Sequence, residues 1–165
     1  VAVNTTTFAL IRAQVYTVLE ALTPTAKPVD KLFRRAPKKS QTLREWAAES
    51  PNSEKLRFFD YRVTGTEEPL PFFDTAAREV LVEATLTVAY PRQVGLYSTD
   101  DLDGIEDVME SDAVQIFDAV FTPDNYLSGQ NLAEVLRVVP DRPEGSKVWF
   151  QEFVVRNSFY RAMSL

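Results

Sequence analysis

The chain has 165 residues, 45% of them hydrophobic and 25% charged, with a net charge of −6 at pH 7; that length and balance suit one globular domain and exclude global disorder. It has no cysteine and no histidine, which removes disulfide scaffolds, thiolate and histidine metal sites, cysteine nucleophiles and serine–histidine triads. Its five glycines form no nucleotide-binding loop, and no apolar run approaches the roughly 20 residues of a membrane helix.

Thr5 to Leu22 predicts an amphipathic helix, because Phe8, Ile11, Val15, Val18, Leu19 and Leu22 recur at three- and four-residue spacing behind a run of capping threonines. Val1 to Thr7 lacks the basic-then-apolar layout of a signal peptide. From about 27 to 53 the chain is punctuated by prolines and reads as a basic, irregular arm, with a short strand at Lys31 to Ala36 and a short helix at Gln41 to Glu49 carrying Trp46. Arg34, Arg35, Lys38 and Lys39 form a compact cluster within it. Nucleic acid is one candidate partner for such a cluster. Against that stand the few interleaved aromatic residues and the acidic whole, and the favoured role is a surface that orders against a neighbour.

Glu54 to Val63 predicts a strand with Phe59, Tyr61 and Val63 on one side and Leu56 and Phe58 on the other. The loop from Thr64 to Ala77 links it to the next strand as an extended hairpin. Leu70, Phe72 and Phe73 lie between its prolines and acids, either as an exposed apolar tip that docks a partner or with Phe72 and Phe73 folded back onto the sheet. Arg78 to Tyr90 is the most legible stretch. Val80, Val82, Ala84, Leu86, Val88 and Tyr90 alternate with Glu79, Glu83, Thr85 and Thr87, the period of a strand with one buried face. At roughly 3.3 Å per residue it spans about 43 Å and belongs at the centre of a sheet, with Pro91 closing it.

Asp100 to Phe121 predicts the second long helix, its apolar stripe running through Leu102, Ile105, Met109, Ala113, Ile116, Phe117 and Val120 and its first turns acidic. Thr99 to Glu110 partly matches a calcium-binding loop, with Asp101, Asp103, Gly104 and Glu110 in register, but Thr99 replaces the first aspartate and no entering helix precedes it. An acidic helix start accounts for these residues, so no metal or cofactor site is expected. Leu132 to Val139 and Lys147 to Arg161 then predict a second antiparallel hairpin, with Trp149, Phe153, Val155 and Phe159 on one side. The order of elements gives an α+β fold: a mostly antiparallel β-sheet with two amphipathic helices packed on one face.

Charge is polarised along the chain. Lys27 to Arg62 holds ten Lys/Arg against five Asp/Glu, whereas Thr66 to Gln130 holds two against fourteen. Such segregation suits a molecule whose one face meets the opposite face of a neighbour, or one that repels nucleic acid from part of its surface.

The strand ending Val63-Thr64-Gly65, the acidic loop, the long strand Glu79 to Pro91 and the acidic helix after it, together with the opening helix and the closing Phe150 to Tyr160 strand, resemble the phage tail terminator family typified by the lambdoid minor tail protein U. The resemblance implies a virion protein of the tail–neck region, assembled in the host cytoplasm as a homo-hexameric ring. Such a ring caps the tail tube, halts its polymerisation, meets a head-tail connector or neck protein and lets DNA pass through its lumen without specific binding. No catalysis and no membrane are involved. A head-to-tail ring needs two different patches per subunit, for which the basic cluster and Asp100, Asp101 and Asp103 are the candidates, with Leu70, Phe72 and Phe73 as the tip that docks the tail tube protein or a neighbour. A head-tail joining ring is the alternative within the class. A carboxylate-based hydrolase and a DNA-binding module using Arg34, Arg35, Lys38 and Lys39 are the alternatives outside it.

Overall fold

A computed structural model describes residues 3–37, 40–49, 52–65, 67–70 and 77–163. Its frame is two fifteen-residue strands, β4 (Ala77–Pro91) and β6 (Val148–Ala162), paired antiparallel along their whole length from Ala77 opposite Ala162 to Pro91 opposite Val148. The period-2 pattern that predicts β4 holds: Val80, Val82, Ala84, Leu86, Val88 and Tyr90 are all buried in the main core. On β6 the odd positions Trp149, Phe153, Val155 and Phe159 meet them there.

Around this pair the sheet is completed by β1 (Arg34–Arg35), β2 (Phe58–Val63), β3 (Glu68–Pro69) and β5 (Gln130–Asp141), in the order β1-β2-β4-β6-β5 with β3 also on β4. Every pairing is antiparallel except β1 with β2. β3 continues the line of β2 along β4, so the second strand and the segment after it do form the expected extended hairpin.

Two helices, α1 (Phe8–Glu20) and α3 (Leu102–Val120), cover one face as expected. Thr7 caps α1 by accepting from the Leu10 amide at 3.2 Å, which leaves Phe8, Ile11, Val15 and Leu19 turned onto the sheet. Each such side chain contributes about 1.5–3 kcal/mol by leaving water. A third helix, α2 (Leu43–Glu49), lies on the opposite face, where Leu43 and Ala47 pack with Ala89, Val148 and Phe150 beside the partly buried Trp46 and Phe58. The basic segment is therefore less irregular than its prolines suggest, because α2 supplies cover to one end of the second face.

The side assignments of β2 hold in part. Leu56 was expected beside Phe58, yet it is buried in the main core while Phe58 joins the smaller cluster. The cause is Arg57, a non-glycine residue at φ 62°, which interrupts the alternation just before the strand begins. Val63 lies on the side of Phe59 and Tyr61 but is 45% exposed, because β2 runs past the helices that cover them.

β5 departs from regular pairing between Val135 and Arg137. This bulge places Arg137 opposite Val154 on the far side of the sheet, whereas an earlier register shift between Gln130 and Leu132 keeps Ala133 inside. Just before β5, Gly129 sits at φ +89° beneath the crossing N-terminal segment, and a Cβ there would stand 2.9 Å from the Asn4 carbonyl oxygen. No helix among the described residues is long and apolar enough to cross a membrane.

Candidate interface surfaces

The basic loop is positioned by a buried staple. Arg57, with its side chain fully inaccessible, donates from Nε to Asp112 Oδ2 at 2.7 Å and from Nη2 to Asp112 Oδ1 at 3.1 Å. Its remaining guanidinium protons go to the carbonyls of Ala26 (2.8 Å), Pro28 (2.5 Å) and Lys31 (2.9 Å). Tyr90 completes the site by donating its hydroxyl to Asp112 Oδ2 at 3.0 Å. Burial pushes the Asp112 carboxyl above its ordinary range, and the hydrogen bonds and charge of Arg57 oppose that rise. Burial likewise raises the Tyr90 hydroxyl, with the Asp112 charge adding to the effect. One ion pair thus ties the start of the basic segment, the end of β4 and the middle of α3 together.

The loop then delivers Arg34 and Arg35 to the sheet edge. Backbone bonds from Arg34 N to Arg57 O (3.1 Å) and from Ala36 N to Phe59 O (2.8 Å) fix β1 there without using the side chains. Both side chains are exposed, and the Arg35 guanidinium stacks over the Tyr16 ring at 4.5 Å. Lys38 and Lys39 lie outside the described residues, as do Phe72 and Phe73 at the expected tip. Leu70 is half-buried, its amide donating to the Glu79 carbonyl at 2.9 Å.

The acids singled out from the sequence divide into two groups. Asp101 is the N-cap of α3, accepting from the Gly104 amide at 3.2 Å and from the Thr99 hydroxyl at 2.7 Å. The Thr99 bond is the main reason its carboxyl is held below the ordinary range, with the Gly104 amide second. Asp100 accepts from the Gly95 amide at 3.0 Å and so shapes the preceding turn. Only Asp103, exposed in the first turn, is uncommitted to local structure. Among the described residues no ion pair joins Arg34 or Arg35 to Asp100, Asp101 or Asp103 within the subunit.

Protein-family models and curated proteins give no match to the sequence. Among solved structures, a chain of the virion of a native gene transfer agent (GTA) particle matches with a TM-score of 0.54 at 15% identity, over 90% of this chain and 93% of that one. The likeness is one of fold. At that identity no side-chain role is carried over, so the surfaces rest on this chain's own geometry.

The open face of the sheet beyond α2 was not singled out from the sequence. Its register sets Arg62, Thr85, Val154 and Arg137 in one row across four strands and Asp60, Thr87, Glu152 and Val139 in the next. Together with α2 these rows enclose a groove of about 450 Å³. Arg62 pairs with Asp60 at 2.9 Å, and Arg44 bridges Asp141 and Glu152. Arg44, Arg62 and Arg137 thus stand against Asp60, Glu83 and Glu152 in the groove lining. Its charges balance, which makes it a poor electrostatic track for a phosphate backbone. Glutamates and threonines on the wet side of a predicted strand were the available signal, but which cations stood opposite depended on pairings far apart in the chain.

Proposed function

We propose that this protein is a structural subunit of a phage-like virion and that it acts as a tail terminator. In this reading six copies close into a ring on the end of the tail tube, halt its growth and offer the opposite surface to a head-tail connector or neck protein. The observation that carries it is the fold shared with the chain of the GTA virion particle, which spans 90% of one chain and 93% of the other; a match of that extent covers the whole architecture and not one common hairpin. The layout of elements that resembles the tail terminator family supports the finer assignment.

The surfaces agree with a head-to-tail ring. A basic edge at Arg34 and Arg35 and the exposed acids Asp103, Asp107, Glu110 and Asp118 of α3 occupy different parts of the subunit, and among the described residues none of these charges has an ion pair within it, which suits a heterologous interface. Leu70 stands at the entrance to the loop that carries Phe72 and Phe73, the segment assigned here to the tube or to a neighbour. The ring's lumen is assigned to DNA in passage, held by no specific contact. Neither a metal nor a cofactor is invoked, and the protein is read as a non-enzyme.

The test is to add purified protein to the tail-tube protein of the same particle during polymerisation and follow tube length by electron microscopy. The expected result is shorter tubes with added density at one end. Density on the portal side with unchanged tube length would replace the terminator role by a neck ring, and unchanged tubes with no bound density on either component would overturn the proposal.

A further inference from the structure

The outward side of α3 carries a pattern that a merely solvated helix does not need. Asp103, Asp107, Glu110, Val114 and Phe117 follow one another at steps of four, three, four and three residues, the spacing of a single helical face. With Asp118 they make a stripe about 22 Å long at 1.5 Å per residue, opposite the side that buries Ile105, Val108, Met109, Asp112 and Ile116. The helix holds six acids and no lysine or arginine. Two of those acids are neutralised inside the subunit, Asp112 by Arg57 and Glu106 by Arg142 at 3.0 Å. The other four all lie on the stripe, and among the described residues none has an ion pair. At the end of the stripe Val114 is 59% and Phe117 42% exposed, beside a shallow depression of about 280 Å³.

A surface of opposite character lies on the same chain. At the β1 edge Asp30, Lys31, Leu32, Arg34, Glu54 and Phe58 line a concavity of about 330 Å³. Lys31 and Arg34 are the cations of its lining, Lys27 and Arg35 bring the cations of this stretch of chain to four, and Leu32 and Val29 add exposed apolar surface. Among the described residues the hydrogen bonds from Thr23 and Thr25 to α3 are to its flank, Thr25 to Ser111 (3.2 Å), the Thr25 amide to Gln115 Oε1 (3.0 Å) and Gln115 to the Thr23 carbonyl (3.1 Å). Arg57 anchors the loop before β1 there through the carbonyls of Ala26, Pro28 and Lys31, and the stripe is left uncovered by it.

We infer that the α3 stripe of one copy docks on the β1 edge of the next, with Val114 and Phe117 seated against Leu32 and with Asp107 and Glu110 facing Lys31 and Arg34. Acids beside an apolar knob on the stripe complement cations beside an apolar hollow at the edge, which selects a second copy of this chain as the occupant. The contact is head-to-tail, so it rests on the ring reading and deepens it. It also moves the acidic half of the interface from the helix start, where Asp100 and Asp101 serve the fold, to the middle of the helix.

Because the chain has no cysteine, engineered thiols report this contact alone. Leu32→Cys and Val114→Cys proteins are mixed under mild air oxidation, and each is also mixed with Val94→Cys, whose native side chain is 80% exposed. The expected result is that the Leu32/Val114 pair links about tenfold faster than either control pair, because docking raises the local thiol concentration. A chain carrying both cysteines then gives a ladder that ends at the ring number. Equal rates with a wild-type oligomer intact would overturn the contact and leave the ring standing. A ladder ending at two would keep the contact and sink the ring, and equal rates with a wild type that stays monomeric even with the tail tube present would sink both.

Discussion

Asp112→Ala lowers the stability of this protein by about 3–5 kcal/mol, the loss that follows when one member of a buried ion pair is removed. The urea midpoint measures it. Arg57 is fully buried and cannot shed its proton, so the variant leaves a guanidinium charge with no counter-charge in the core. Tyr90 loses its acceptor in the same step. Arg57→Ala acts differently: Asp112 can neutralise itself by protonation, and the loss comes chiefly from the carbonyls of Ala26, Pro28 and Lys31, whose donors vanish. That variant frees the basic loop, and trypsin cuts it after Lys31 faster than in the wild type. It also becomes pH-dependent in a defined direction. With burial already raising the Asp112 carboxyl and its cationic partner gone, the folded state binds the proton more tightly than the unfolded chain. The contribution of Asp112 is then present below the ordinary carboxyl range and lost as pH rises through the raised value. Asp112→Asn, which keeps an acceptor for Arg57, falls between the wild type and Asp112→Ala.

Replacing Arg34, Arg35, Lys38 and Lys39 together by glutamate weakens self-association by about a hundredfold or more, because like charges brought together at an interface cost several kcal/mol. Sedimentation over a concentration series measures it, with far-UV dichroism unchanged. The fold tolerates the change because β1 is held by main-chain bonds to Arg57 and Phe59. Arg35 also loses its stacking on Tyr16, a surface cation–π contact of about 0.5–1 kcal/mol, so a small fall in thermal midpoint accompanies the change. Loss of the dichroism signal would show instead that these charges are structural. The matching reversal belongs at Asp107 and Glu110. Changing Asp100 and Asp101 would disturb the Gly95 turn and the α3 cap before it tested any partner.

These two variants also mark how far the sequence alone could be read. Elements whose periodicity is local were legible: α1, α3 and β4 follow from residue spacing, and the bounds of β4, Ala77–Pro91, differ little from the expected Arg78 to Tyr90. The short helix carrying Trp46 was legible too, but not the face it covers, since that depends on Ala89 and Phe150 from distant strands. The staple was half visible. Asp112 falls three residues after Met109 and four before Ile116, on the buried side of α3, and an acid at a core position demands a partner. Nothing local named Arg57 as that partner, because it lies 55 positions away and reaches the core only through a left-handed backbone turn. The candidate interface residues were legible as charge, not as geometry. Composition separated a basic from an acidic segment, whereas hydrogen bonding decided that Asp101 caps a helix, and the packing of the opposite side of α3 decided that Asp107 and Glu110 face outward.

The most direct test of the central claim is the mass of the purified protein in solution, measured by light scattering across concentration and salt and repeated with the tail tube present. The account predicts a species of six times the 18.7 kDa subunit, closed at that number and loosened by salt, since charged contacts are screened. A mass that stays at one subunit under every condition, tube included, or that stops at two, would contradict it.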